Sequence, residues 1–175
     1  TVNPTGNVNT IDYVTIASTG NATDFGDTSD NKKEIAGCSN QIRGTIAGGG
    51  GGSGNTIYYI TQASTGNSQD FGDLNFAQNN YTATQSATRG FIKNRNEPAG
   101  STQIDYYTFM TTGNAADFGD ATDARYGGAS MVSSSTRGLF GGGYSPGITN
   151  MIEYITMATL GNAVDFGDLT QAGYM

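Results

Sequence analysis

The sequence predicts an all-β fold, a segment of β-propeller made of about four tandem four-stranded antiparallel repeats. Three observations predict it. The block Asp24-Phe25-Gly26-Asp27 returns at residues 70–73, 117–120 and 165–168, which sets Phe25, Phe71, Phe118 and Phe166 apart by 46, 47 and 48 residues. Each copy also carries a tyrosine twelve residues before the phenylalanine (Tyr13, Tyr59, Tyr106, Tyr154), with a Gly-Asn pair between them. Finally, the composition suits turns and strands: 27 glycines, and charged residues at only 13%, against about 25% in an ordinary globular chain.

Each unit reads as four strands. The first (Glu34 to Ser39, Tyr81 to Ala87, Ala129 to Ser134) is small and polar, and the second follows an arginine: Arg43, Arg89 or Arg137. The third (Ile11 to Ile16, Ile57 to Thr61, Ile104 to Thr108, Ile152 to Thr156) is rich in β-branched and aromatic residues. It is apolar on both faces, so it needs cover on both sides. The fourth is short and centres on the Asp-Phe-Gly-Asp block. Four such strands joined by short turns form a meander, and sheets stacked radially cover both faces while leaving only short edges. The boundaries that follow are 1–28 (a partial repeat holding third and fourth strands), 29–74, 75–121, 122–169, and 170–175 as the start of a further repeat. A unit of this size cannot bury a core alone, so stability must come from stacking on neighbours. The chain reads as a section of a longer protein.

The spacings assign a direction. Tyrosine to phenylalanine is twelve residues in every copy, whereas phenylalanine to the next arginine is 18, 18 and 19, and arginine to the next tyrosine is 16, 17 and 17. Length variation therefore avoids the third-to-fourth turn. In a meander the second-to-third loops share one end with the connections between units, and the constant Gly-Asn turns occupy the other. The variable loops, 48–55, 93–102 and 141–150, differ in composition from copy to copy, and diversified loops on a rigid scaffold suit recognition. Asn94, Arg95, Asn96 and Tyr144 are the candidate binding residues. Amides bond sugar hydroxyls and aromatic rings stack on apolar sugar faces. A glycan reader is expected to gather Tyr144, Tyr58, Tyr107 or Asn94 in one exposed cluster.

The repeated residues read as structural. Phe25, Phe71, Phe118 and Phe166 are expected in equivalent buried positions between sheets, together with the four tyrosines. Asp27, Asp73, Asp120, Asp168 and the aspartates that open each block suit turn capping, with a shared calcium ion as the competing reading. Arg43, Arg89 and Arg137 are expected to pair with Asp27, Asp73 and Asp120 or their neighbours, one ion pair per unit, with anion binding as the alternative.

Several functions are disfavoured by what is missing. The net charge is −7 with eight Lys+Arg spread thinly, which leaves no basic stripe for nucleic acid or an anionic membrane. Histidine is absent, so general base catalysis and Cys/His metal sites lack their usual residue. The single cysteine, Cys38, reads as a small buried strand residue. The glycine run at 48–54 lacks the Lys-Ser/Thr ending of a phosphate loop. No catalytic residue, cofactor or metal is expected.

The order Arg137-Gly138-Leu139-Phe140-Gly141-Gly142-Gly143, then Ile152-Glu153-Tyr154-Ile155-Thr156, then Gly161-Asn162 with Asp165-Phe166-Gly167-Asp168 resembles the kelch-like repeats in structural proteins of tailed phages. Phe166 stands where a kelch unit carries tryptophan. Two copies depart from the pattern: Phe91-Ile92-Lys93-Asn94 has no glycine pair, and Ile46-Ala47-Gly48-Gly49 has no aromatic before its glycines. The resemblance implies a non-enzymatic β-propeller module of a virion, in a tail fibre or adsorption apparatus. Its implied partners are other virion subunits or further repeats of the same chain, and a host surface glycan or protein, with a homo-oligomer left open. Kelch-like carbohydrate oxidases need a copper-ligand histidine, which this chain lacks. A purely architectural virion role, or a protein-binding scaffold, is the alternative.

Overall fold

The computed structural model describes residues 8–50, 54–77, 80–94, 100–126, 130–144 and 146–173. Among them there is no helix; all regular structure is antiparallel sheet. A hairpin, β1 (Val8–Tyr13) with β2 (Thr23–Lys32), forms sheet 1. Three four-stranded meanders follow. Sheet 2 holds β3 (Ala36–Ser39), β4 (Arg43–Ala47), β5 (Thr56–Thr61) and β6 (Gln69–Asp73). Sheet 3 holds β7 (Tyr81–Gln85), β8 (Arg89–Asn94), β9 (Ser101–Thr108) and β10 (Ala116–Arg125). Sheet 4 holds β11 (Ser130–Ser133), β12 (Arg137–Gly141), β13 (Met151–Thr156) and β14 (Val164–Asp168).

Strand order within each meander follows the sequence, as the repeat predicts. The bounds of several strands do not. β1 begins and ends three residues earlier than the expected span from Ile11 to Ile16, so Val14 and Ile16 lie outside it and are exposed. β2 and β10 are ten residues long rather than short, because they continue past the aspartates into the link to the next sheet.

The repeated block has a single geometric meaning. In all four third-to-fourth pairings the register slips by one residue at the phenylalanine. Ile57 pairs with Gly72 and Tyr58 with Asp70, leaving Phe71 extra; Phe25, Phe118 and Phe166 are left out in the same way. Asp-Phe-Gly is thus a β-bulge, a device that bends a strand and re-aims a side chain. The glycine after each phenylalanine has φ between 138° and 149°, a backbone that side-chain-bearing residues rarely adopt.

The bulge points the phenylalanine at the unit's own tyrosine. The pairs Tyr13–Phe25, Tyr59–Phe71, Tyr106–Phe118 and Tyr154–Phe166 all meet edge to face, with centroids 5.9 to 6.1 Å apart. Phe71 also meets Tyr107 of sheet 3 at 5.2 Å, and Phe118 meets Phe91 at 5.1 Å. Two apolar clusters result. One joins sheets 2 and 3 through Ile57, Phe71, Ile92 and Phe109; the other joins sheets 3 and 4 through Ile104, Phe118, Phe140 and Ile155. The first strands β3, β7 and β11 lie side by side, linked by Cys38 Sγ to Thr84 O (3.1 Å), Met131 N to Thr82 Oγ1 (3.1 Å) and Ser133 Oγ to Gln85 O (2.9 Å).

Burial corrects one expectation. Phe25, Phe71 and Phe118 are 7%, 2% and 3% exposed, but Phe166 is 52% exposed because no sheet follows sheet 4 in the structure. The tyrosines are only partly covered, with Tyr13 exposed and Tyr59, Tyr106 and Tyr154 half-buried.

Candidate functional site

Each pair of neighbouring sheets is joined at the turn end by the same clasp. The Phe25 carbonyl accepts from Gly66 N (2.7 Å), the Asp27 carbonyl accepts from Ser68 N (2.9 Å), and Asp27 N donates to Asn67 Oδ1 (3.1 Å). Phe71 and Asp73 repeat this with Gly113, Asn114 and Ala115, and Phe118 and Asp120 with Gly161, Asn162 and Ala163. The approach is so close that a Cβ on Gly26, Gly72 or Gly119 would lie 2.3 to 2.6 Å from the facing glycine carbonyl oxygen. The Gly-Asn pair is therefore the half of an inter-sheet bond that reaches back to the preceding bulge.

The arginines do not make the expected ion pairs. Arg43, Arg89 and Arg137 lie over Tyr59, Tyr106 and Tyr154 at 4.3, 5.0 and 4.5 Å from the ring centroids, a cation–π arrangement. From there Arg43 Nη1 donates to Phe109 O (2.7 Å) and Arg89 Nη1 to Met157 O (3.3 Å), both in the following sheet. Recurrence marked a fixed partner for each arginine, and that partner is a tyrosine ring, joined for Arg43 and Arg89 by a carbonyl of the next sheet, rather than Asp27, Asp73 or Asp120. The aspartate side chains cap turns in one copy, where Asp165 Oδ1 accepts from Gly167 N (3.1 Å); Asp120 Oδ1 instead accepts from Thr102 Oγ1 (2.8 Å).

The loop end, which carries the candidate binding residues, is built from side chains that differ between copies. Tyr144 is half-buried, its ring tilted against Tyr126 at 5.2 Å, and the two backbones exchange hydrogen bonds of 2.9 and 3.1 Å. Lys33 and Gly50 form the same short ladder in sheet 2, so the loops of sheets 2 and 4 are each tied to the link that enters their own sheet. Asn94 is buried at the end of β8, beside Lys93, whose ammonium donates to Ser101 O at 2.9 Å. Arg95 and Asn96 lie outside the described residues.

Tyr58 and Tyr107 do not join an exposed cluster; both are buried. Tyr107 bonds Thr45 Oγ1 at 2.6 Å beneath Gly90, where any Cβ would strike its ring, and burial pushes its phenol well above the ordinary range. The alternation of faces on β9 leaves Tyr106 half-covered and turns Tyr107 inward.

Sequence reasoning missed the most buried charged groups. Arg125 and Glu153 form an ion pair with both side chains fully buried. Arg125 Nη1 also donates to Gly142 O and Met151 O (both 3.2 Å), and burial lowers its pKa. Glu153 Oε1 accepts from Thr122 N at 2.6 Å. The same repeat position carries Asp105, which accepts from Asn75 N (3.0 Å), and Tyr58, whose hydroxyl accepts from Ser29 Oγ (2.8 Å). A bond from the third strand back to the preceding link thus recurs three times with different chemistry. Its signal in the sequence was a polar residue beside the repeat tyrosine.

Chemistry beyond packing finds few materials. No three His, Cys, Asp or Glu side chains gather to hold a metal among the described residues. A hollow of about 450 Å³ between sheets 1 and 2 is lined by Ile11, Asp12, Tyr13, Phe25 and Ile60. Among the described residues no helix is long and apolar enough to cross a membrane. No protein-family model matches the chain, and no curated protein matches it.

Proposed function

We propose that the chain is a non-catalytic recognition module: kelch-like propeller blades forming a rigid frame whose second-to-third loops present variable side chains to a surface glycan or protein. The observation that carries this reading is the division of labour between the two ends of the sheets. The turn end repeats one backbone clasp three times, while the loop end changes its residues in every copy. A frame fixed by backbone bonds tolerates loop change without loss of order. On the resemblance of its repeats to kelch-like phage proteins, we propose a virion, in a tail fibre or adsorption apparatus, as the setting of such a module, with other virion subunits as its neighbours.

The inward-facing Lys93 and Asn94 favour a second reading, an architectural virion component, because they spend the polar groups of one variable loop on its own sheet. The test is to replace residues 95–99 alone with a Gly-Ser stretch, sparing Lys93, Asn94 and Ser101, and to substitute Tyr144→Ala separately. Binding to a glycan array and to host cells is then measured. Loss of binding with an unchanged melting transition supports recognition; undiminished binding by both variants removes it and leaves the architectural role.

A further inference from the structure

We infer that the turn end carries binding sites of its own, a niche built from the repeat in which each copy takes one neutral sugar residue. These niches lie at the opposite end of the sheets from the variable loops and owe nothing to the recognition proposed for those loops. Two hollows at the turn end, of about 160 Å³ on sheet 2 and about 210 Å³ on sheet 3, are lined by the same repeat positions. Each holds the repeat tyrosine, Tyr59 or Tyr106, and the clasp asparagine, Asn67 or Asn114. Sheet 3 packs against a four-stranded sheet on either side, and its niche is lined by its own residues alone, so the hollow belongs to the repeat itself.

Between tyrosine and asparagine each niche gathers three hydroxyls: Thr61, Ser64 and Thr65 in sheet 2, and Thr108, Thr111 and Thr112 in sheet 3. The turn needs none of them. It is closed by a backbone bond, Ser64 N to Thr61 O (3.2 Å) or Thr111 N to Thr108 O (3.1 Å), and the clasp uses backbone groups and one side-chain amide. Yet threonine stands two residues past the tyrosine in all four units, as Thr15, Thr61, Thr108 and Thr156. Serine or threonine stands five past it, as Ser18, Ser64, Thr111 and Thr159. All eight are exposed. None of the hydroxyls lining the two niches bonds another group among the described residues. A few convergent polar groups around a hollow, left unspent by the fold, are what a small ligand uses.

The lining selects the class of ligand. Neither niche contains a charged residue, so an ion would give up water without gaining a counter-charge. A neutral polyhydroxylated ligand instead exchanges bonds to water for bonds to the hydroxyls. Asn67 Oδ1 and Asn114 Oδ1 are held by Asp27 N and Asp73 N, which fixes each amide and leaves its NH2 group to donate. Gln69 Oε1 is held likewise by the Tyr59 hydroxyl. The half-buried tyrosine adds apolar surface for the C-H groups of a sugar ring. A Cβ on Gly66 or Gly113 would meet nothing within 4 Å, so the approach is open. The volumes fall below the roughly 300 Å³ at which pockets for drug-sized ligands begin, which limits the occupant to a single residue. A polysaccharide that presents the same sugar repeatedly gains affinity from the copies.

The experiment is nitrogen-proton correlation NMR of the whole chain titrated with glucose, galactose, N-acetylglucosamine and glucuronate, each to about 100 mM, a range that reaches millimolar affinities. At least one neutral sugar is expected to shift the amides of both turns with a Kd of about 1–10 mM, as for a ligand of a dozen atoms at ordinary efficiency. The triple variant Thr108→Val/Thr111→Val/Thr112→Val should weaken binding on sheet 3 at least about tenfold, while the sheet 2 niche of the same molecule is unchanged. Ser64→Ala/Thr65→Val should do the reverse, and it carries the test should the triple variant fold poorly. Absence of any shift with the three neutral sugars overturns the inference. So does tighter binding of glucuronate at the niches, or binding that both variants leave untouched. Shifts confined to the loop end overturn it as well, while supporting recognition by the variable loops.

Discussion

The turn end and the loop end of this molecule join the same pairs of sheets by opposite means. At the turn end three interfaces share one set of backbone bonds and one asparagine. At the loop end each interface has its own pair: Ser29 with Tyr58, Asn75 with Asp105, Thr122 with Glu153. A clasp made of backbone groups fixes spacing and register, yet any sheet could follow any other through it. The copy-specific pairs supply the missing information, because Glu153 facing Asn75, or Tyr58 facing Thr122, would leave buried polar groups without their partners.

The largest effect should come from the shared interface. Phe118→Ala is expected to cost about 3–5 kcal/mol in denaturant unfolding, whereas Phe166→Ala, the same residue at the exposed end, should cost under about 0.5 kcal/mol. Equal costs would mean that the bulge phenylalanines act within their own sheet and not between sheets.

At the loop end, Glu153→Gln removes the charge facing Arg125 and is expected to cost ~3 kcal/mol. The double variant Glu153→Leu/Arg125→Met should recover much of that loss, which the same denaturation assay would reveal. Failure to recover would show that the bonds from Arg125 to Gly142 and Met151, rather than the ion pair, hold this corner.

A third test uses Cys38, buried on β3 as its sequence context predicts, where burial pushes its thiol from 9.0 up to about 11. The folded state thus keeps a proton that the unfolded chain releases. The contribution is whole below pH 9 and is lost as pH rises through 11, about 2–3 kcal/mol in all. Cys38→Ala should flatten that part of the stability profile, and an unchanged slope would assign it to other groups.

The smallest effect is the clasp side chain itself. Asn162→Ala should cost about 1 kcal/mol through the lost bond to Asp120 N, and Asn21→Ala close to nothing in the isolated chain. Thermal unfolding of the pair separates them.

Much of this arrangement was legible because repetition marks position. The strand order, the buried Phe25, Phe71 and Phe118, and the constancy of the Gly-Asn turns all follow from one period. Repetition does not name partners, however. The recurrence of Arg43, Arg89 and Arg137 beside recurring aspartates suggested ion pairs, while the partners are tyrosine rings in the same sheet and carbonyls in the next. The phenylalanine looked like a core residue and gave no sign of being a bulge, because a bulge is a relation between two strands. Arg125 was invisible for the opposite reason, since no arginine recurs at its position; Glu153 shares its place beside the repeat tyrosine with Asp12 and Asp105, but that recurrence does not say which charges are buried.

The three clasps also lie in series between the two termini. A tensile load applied at the chain ends must pass through every one of them, and each is a small set of bonds that shares little strength with the others. Pulled in a single-molecule instrument, the chain should not yield in one event. It should give way sheet by sheet, each rupture releasing about 150 Å of contour, with the half-unit of sheet 1 adding a shorter step of its own.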